Sequence, residues 1–161
     1  MKNISTLLLL LCISTSLFSQ KKKLYVPEDD VQQKIDSSLS VAKQEHKFVL
    51  LQIGGNWCIW CLRFHDLIRN TPELKKVMDD NFVVYHVNYS QENKNEKILS
   101  KLGYPQRFGF PVFVILNEKG ERIHTQQTDF LEDGAGYDIK KVQNFLIQWS
   151  PKALDPETYQ P

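Results

Sequence analysis

Several things are scarce in this sequence. Lys and Arg total 20 against 19 Asp and Glu, a net charge of +1, and no dense basic block appears. The electrostatic basis for general nucleic-acid binding is therefore missing. No internal repeat is visible, and seven glycines and seven prolines in 161 residues are an ordinary share. Collagen-like, coiled-coil and wholly disordered chains are excluded on composition. Cysteine is scarce too, at three residues: Cys12, Cys58 and Cys61. What remains has the length of one domain with short appendages, with a hydrophobic fraction of 42% to build its core.

The first stretch, MKNISTLLLLLCISTSLFSQ, has Lys2 near its start, an apolar run from Leu7 to Ile13, and then small residues at Ser14, Thr15, Ser16 and Ser19. That layout predicts a signal peptide over residues 1–19, removed on export. The apolar run is too short for a transmembrane helix, which takes about 20 residues. A lipidated Cys12 is disfavoured because the bulky Leu11 stands directly before it. Cleavage would leave a nearly neutral protein, periplasmic or secreted, with no stable membrane insertion. Its two remaining cysteines would then sit where disulfides can persist.

After a polar leader over 20–28, a domain is expected over 29–150, followed by a disordered tail over 151–161 marked by Pro151, Pro156 and Pro161. Asp29 or Asp30 can cap a helix with Val31, Ile35, Leu39 and Ala42 on one face. Phe48 to Ile53 reads as a buried strand broken by Gly54-Gly55-Asn56. Helices are expected over Cys58 to Asn70, from Thr71-Pro72, and more weakly over Asn93 to Leu102. Strands are expected over Phe82 to Asn88, Phe110 to Leu116 and Glu121 to Thr125. Asp138 caps a last helix carrying Val142, Phe145, Leu146 and Trp149. Strands alternating with helices and closing in a hairpin predict an α/β fold, a mixed central sheet with helices on both faces.

Cys58-Ile59-Trp60-Cys61 follows a strand and opens a helix. Cysteines three apart close almost no loop and make a poor staple. At a helix start, however, free N–H groups and the helix dipole favour a thiolate. A second thiol one turn further in can attack a mixed disulfide on the first. Cys58 is thus the expected nucleophile and Cys61 the expected resolving thiol. Zinc would need further ligands, and His65 and His86 alone are weak ones. Covalent haem needs His where Leu62 stands. No metal and no cofactor are implied.

Two motifs, Gly55-Asn56-Trp57-Cys58-Ile59-Trp60-Cys61 and Gly109-Phe110-Pro111-Val112 leading to Glu118-Lys119-Gly120-Glu121, resemble the thioredoxin superfamily over about residues 45–150. Asn70-Thr71-Pro72-Glu73-Leu74 and Asn81-Phe82-Val83 are similar to its secreted subgroup, which includes the C-terminal domain of the transmembrane thiol–disulfide interchange protein. The resemblance implies a thioredoxin-like fold, a cis Pro111 beside Cys58, and substrate contacts from Trp57, Trp60, Phe110 and Pro111. It also implies protein thiol or disulfide substrates, a redox partner protein and a monomer. The chain departs from thioredoxin in three places. Gln52 stands where the family keeps a buried acid, Ile59-Trp60 separate the cysteines, and Asp66 replaces a helix proline. His86, where relatives often carry Lys, becomes the candidate proton acceptor, with a pH step expected near its ordinary value of about 6.5. His65 is expected to point outward. Asn88-Tyr89-Ser90 matches a glycosylation sequon of the kind that recurs by chance. The activity expected is that of an exported thiol–disulfide oxidoreductase; a redox-inactive peptide-binding or chaperone module is the alternative.

Overall fold

Residues 48–54 alternate in the direction of their side chains, and both directions lead to apolar cover. Val49, Leu51 and Ile53 enter one core cluster and Leu50 the opposite one, as a central strand requires. The computed structural model describes residues 23–160. The expected signal peptide and Cys12 lie outside the described residues. The central strand is β1 (Phe48–Gly54), flanked by β2 (Phe82–Asn88) in parallel and β3 (Val112–Leu116) in antiparallel. With β4 (Arg122–Gln127) antiparallel to β3, the sheet order is β2-β1-β3-β4. A separate two-stranded hairpin pairs β5 (Glu132–Asp133) with β6 (Gly136–Tyr137). The expected α/β fold, with a mixed sheet, is the one observed.

One face is covered by α1 (Val31–Glu45) and α4 (Glu96–Lys101), whose Val31, Ile35, Ala42, Ile98 and Leu99 join the first cluster. The other is covered by α2 (Ile59–Asn70), α3 (Pro72–Asn81) and α5 (Ile139–Gln148), which contribute Phe64, Leu74, Met78, Val142, Phe145 and Leu146. Caps set the helix starts. Asp30 accepts from Gln33 N at 3.0 Å and Asp138 from Lys141 N at 2.8 Å, satisfying donors the helices leave free. No helix among the described residues is long and apolar enough to cross a membrane.

Three expectations change. The helix expected from Asn93 begins only at Glu96, because the asparagines before it are used as loop ties. Asn93 Nδ2 donates to Pro27 O at 2.9 Å and Asn95 Nδ2 to Asn88 O at 2.7 Å. The expected disordered tail instead carries two 3-10 turns, Lys152–Leu154 and Pro156–Tyr159. Asp155 accepts from Glu157 N at 3.0 Å and Thr158 Oγ1 donates to Lys152 O at 2.8 Å, so polar side chains set these turns without a core. The polar leader is the largest change, because Tyr25 within it is fully buried.

Candidate active site

The strand-to-helix turn places both cysteines. β1 runs out at Gly54, Cys58 N donates to Gly55 O at 3.0 Å, and Cys58 becomes the N-cap of α2. Its Sγ accepts from Cys61 N at 3.2 Å. The two residues form a disulfide with their Cα atoms 5.3 Å apart. Cys58 keeps 4% of its surface exposed and Cys61 none. A sulfur at this cap receives a helix N–H and the positive end of the dipole, both of which favour its anion.

Aromatic residues form the rim. The Phe110–Pro111 peptide bond is cis. Pro111 directly precedes Val112, which pairs with Ile53 of β1, so the proline lies beside the strand that delivers the cysteines. Trp57 is 58% exposed and meets Phe110 edge-to-face at 5.4 Å. Its Nε1 donates to Tyr89 O at 2.7 Å, and Tyr89 packs on Phe110 at 4.7 Å. The indole can lie there because Gly55 has no Cβ; a Cβ would collide with Trp57 Nε1 and Tyr89 O. Trp60 is half-buried, edge-on to Tyr137 at 5.5 Å, with the Arg63 guanidinium 5.1 Å above its ring. Trp60 and Phe110 both pack against the cluster of Tyr25, Cys58 and Cys61.

Behind the pair lies a polar layer. Gln52 is 1% exposed, and its Nε2 donates to Cys61 O at 3.0 Å and to the Tyr25 hydroxyl at 2.8 Å. Asn56 holds Tyr25 by its main chain: Tyr25 N donates to Asn56 Oδ1 at 3.1 Å and Asn56 Nδ2 to Tyr25 O at 2.7 Å. His86 pairs with Gln52 in strand register and meets the Tyr25 ring edge-on at 5.4 Å. His65 is partly exposed, and its ring lies 5.7 Å from that of His86. Burial, and then the neighbouring His65, push His86 down to about 4. Burial also lowers His65, with Asp66 opposing it. The pH step expected near 6.5 for His86 is thereby displaced. Asn88 is buried and its Nδ2 donates to Ser90 Oγ and Asn93 O, so the sequon is not presented to solvent in the fold.

A thioredoxin-like family model matches residues 30–118, more than half of the chain. The chain belongs to the thioredoxin-like family. Among known proteins it is similar to the disulfide bond reductase DsbH of Chlamydia pneumoniae, 25% identical over 118 residues and covering 68% of each chain. The crystal structure of a disulphide isomerase from Xylella fastidiosa Temecula1 superposes with a TM-score of 0.70 at 22% identity, covering 80% of this chain and 97% of that one. The oxidised C-terminal domain of Neisseria meningitidis DsbD gives 0.54 at 19% identity, covering 74% and 95%. Within this family the chain carries a CxxC pair, Cys58–Cys61, joined as a disulfide.

Sequence reasoning brought Cys58, Cys61, Trp57, Trp60, Phe110 and Pro111 to one place, and the structure brings them together there. It missed Tyr25 and Asn56. The available signal was the apolar triplet Leu24-Tyr25-Val26 inside a polar stretch, between Lys21-Lys22-Lys23 and Glu28.

Proposed function

We propose that this chain is an exported protein thiol–disulfide oxidoreductase in which Cys58 is the nucleophile and Cys61 the resolving thiol. One observation carries the assignment of roles: Cys58 Sγ sits on the α2 cap with residual exposure, while Cys61 is sealed one turn inside. In the reducing direction, the Cys58 thiolate attacks a substrate disulfide. One substrate sulfur leaves with the electron pair and a proton, and the other is held as a mixed disulfide. Cys61 then loses its proton and attacks Cys58 Sγ, closing the Cys58–Cys61 disulfide and releasing the second thiol. Trp57, Trp60, Phe110 and Pro111 form the surface on which the substrate peptide is held. Gln52 cannot take a proton, so the Cys61 proton leaves to water or to His86, which stays neutral at physiological pH because its folded value is about 4.

Export to the periplasm or beyond is supported by the layout of residues 1–19, and a redox partner protein must restore the spent form of the pair. The chain is proposed to act as a monomer. The test is turnover of insulin by the purified mature protein with dithiothreitol. Wild type should accelerate insulin reduction and Cys58→Ser should abolish the acceleration. Equal activity in both would leave the family's redox-inactive, peptide-binding use of the fold.

A further inference from the structure

The cysteine that must be deprotonated is enclosed on the side away from solvent by a residue from outside the motif. Tyr25 and Cys61 are both fully buried and pack in one cluster with Cys58. Gly54 borders both. A Cβ there would fall 3.1 Å from the Tyr25 hydroxyl and still closer to Cys61 Sγ. A methyl group at Gly54 would thus crowd both the hydroxyl and the sulfur, which border the same small space.

The phenol is held in that position from two sides. Asn56 clamps its main chain through the paired bonds at 3.1 and 2.7 Å. Gln52 Nε2 occupies a lone pair of the hydroxyl oxygen at 2.8 Å. The Tyr25 O–H remains a donor, and among the described residues it has no oxygen or nitrogen acceptor. Gln52 Nε2 spends its other proton on Cys61 O, so one amide fixes both the phenol and the helix turn carrying the sulfur. In the disulfide, Cys61 sulfur is a weak acceptor. As a thiolate it would be a strong one.

Resting on the oxidoreductase reading above, we infer that Tyr25 donates a hydrogen bond to the Cys61 thiolate and thereby assists resolution without itself exchanging a proton. The step balances as follows. Cys61 gives its proton to solvent, and the thiolate receives the Tyr25 hydrogen bond as it attacks Cys58 Sγ. The Cys58–substrate S–S bond breaks, and the leaving thiolate takes up a proton from solvent. The phenol keeps its hydrogen throughout. Burial holds its ionisation well above the ordinary tyrosine value, so it serves as donor and not as base. A buried anion with no such donor carries the full desolvation penalty. The titratable groups around the phenol are His86 of β2 and His65 behind it, with Tyr137 of β6 at greater range. Both histidines are held toward the neutral form by burial. Among the described residues, no carboxylate is hydrogen-bonded to either Gln52 or the Tyr25 hydroxyl.

Tyr25→Phe removes the hydroxyl and keeps the ring. In a reduced Cys58→Ser background, thiolate absorbance followed against pH reads Cys61 alone and needs no turnover. Tyr25→Phe should move that midpoint upward. With Cys58 restored, stopped-flow release of a mixed disulfide should slow roughly tenfold, the scale of one hydrogen bond to an anion. An unchanged midpoint or an unchanged release rate overturns the inference. If Tyr25→Phe does not fold, Gln52→Met, which frees the phenol to rotate, is read by the same two measurements and should move both in the same direction. A raised midpoint in a protein that never reduces insulin would uphold the Tyr25–Cys61 contact and sink the oxidoreductase reading. Cys58-dependent insulin reduction with no Tyr25 effect would do the reverse.

Discussion

Each residue at this site does work set by its neighbours. Cys58 and Cys61 are chemically identical, yet one caps α2 and keeps 4% of its surface exposed while the other is fully buried one turn inside. Limiting iodoacetamide on the reduced protein should therefore label Cys58 first, as peptide mass mapping would show; prior labelling of Cys61 would reverse the roles. Gly54 is held to glycine by crowding, since a Cβ would overlap Cys61 Sγ. Gly54→Ala should cost about 1–3 kcal/mol, read as a lower midpoint in urea. His86 takes its low basicity mainly from burial, which holds its folded value at about 4 against 6.5 unfolded. Between those values the unfolded chain binds the proton and the folded one refuses it. Stability should fall as pH drops from 6.5 toward 4 and level off below, a loss on the order of 3 kcal/mol. His86→Phe should flatten that part of the stability–pH curve, and a slope persisting in the variant would assign it elsewhere.

At the scale of elements, the segment before α1 is a working part of the site. It is tied to the fold by contacts that include the Asn56 clamp on Tyr25, the Gln52 bond to the Tyr25 hydroxyl, Asn93 Nδ2 to Pro27 O at 2.9 Å, and Tyr85 Oη to Asp29 Oδ2 at 3.3 Å. Asn56→Ala removes the two bonds nearest the cysteines and should cost about 1–2 kcal/mol. Hydrogen exchange should quicken at Tyr25 while the β1 amides stay protected; equal protection at Tyr25 would mean that ring burial alone holds the segment. The main helices and strands were legible because each carries its own signal. Asp30 and Asp138 announce helix starts, and Val31, Ile35 and Ala42 trace the buried stripe of α1. The leader carried no periodic signal, since a single aromatic side chain anchors it and hydrogen bonds from distant loops do the rest.

Over the whole molecule, the disulfide joins residues three apart and restrains little of the unfolded chain. Reduction should leave the fold intact and lower the thermal midpoint by only a few degrees, consistent with a stabilisation of about 2 kcal/mol or less. Collapse of the reduced protein in a calorimeter would make the pair a structural staple. The core is independent of it, since two apolar clusters on opposite faces of the sheet contain neither cysteine.

Local sequence determined the order of elements, the mixed sheet, the pairing of Cys58 with Cys61 and, through family likeness, the position of Pro111. Those properties depend on near neighbours in the chain: alternation along a strand, a cap at a helix start, a spacing of three. The approach of His65 to His86, the low basicity of His86, the burial of the Asn88 sequon and the capture of Tyr25 were decided by the tertiary structure. Tyr25 meets Gln52 across 27 positions and Asn56 across 31. Desolvation depends on everything packed around a group, and no window of sequence contains that surrounding.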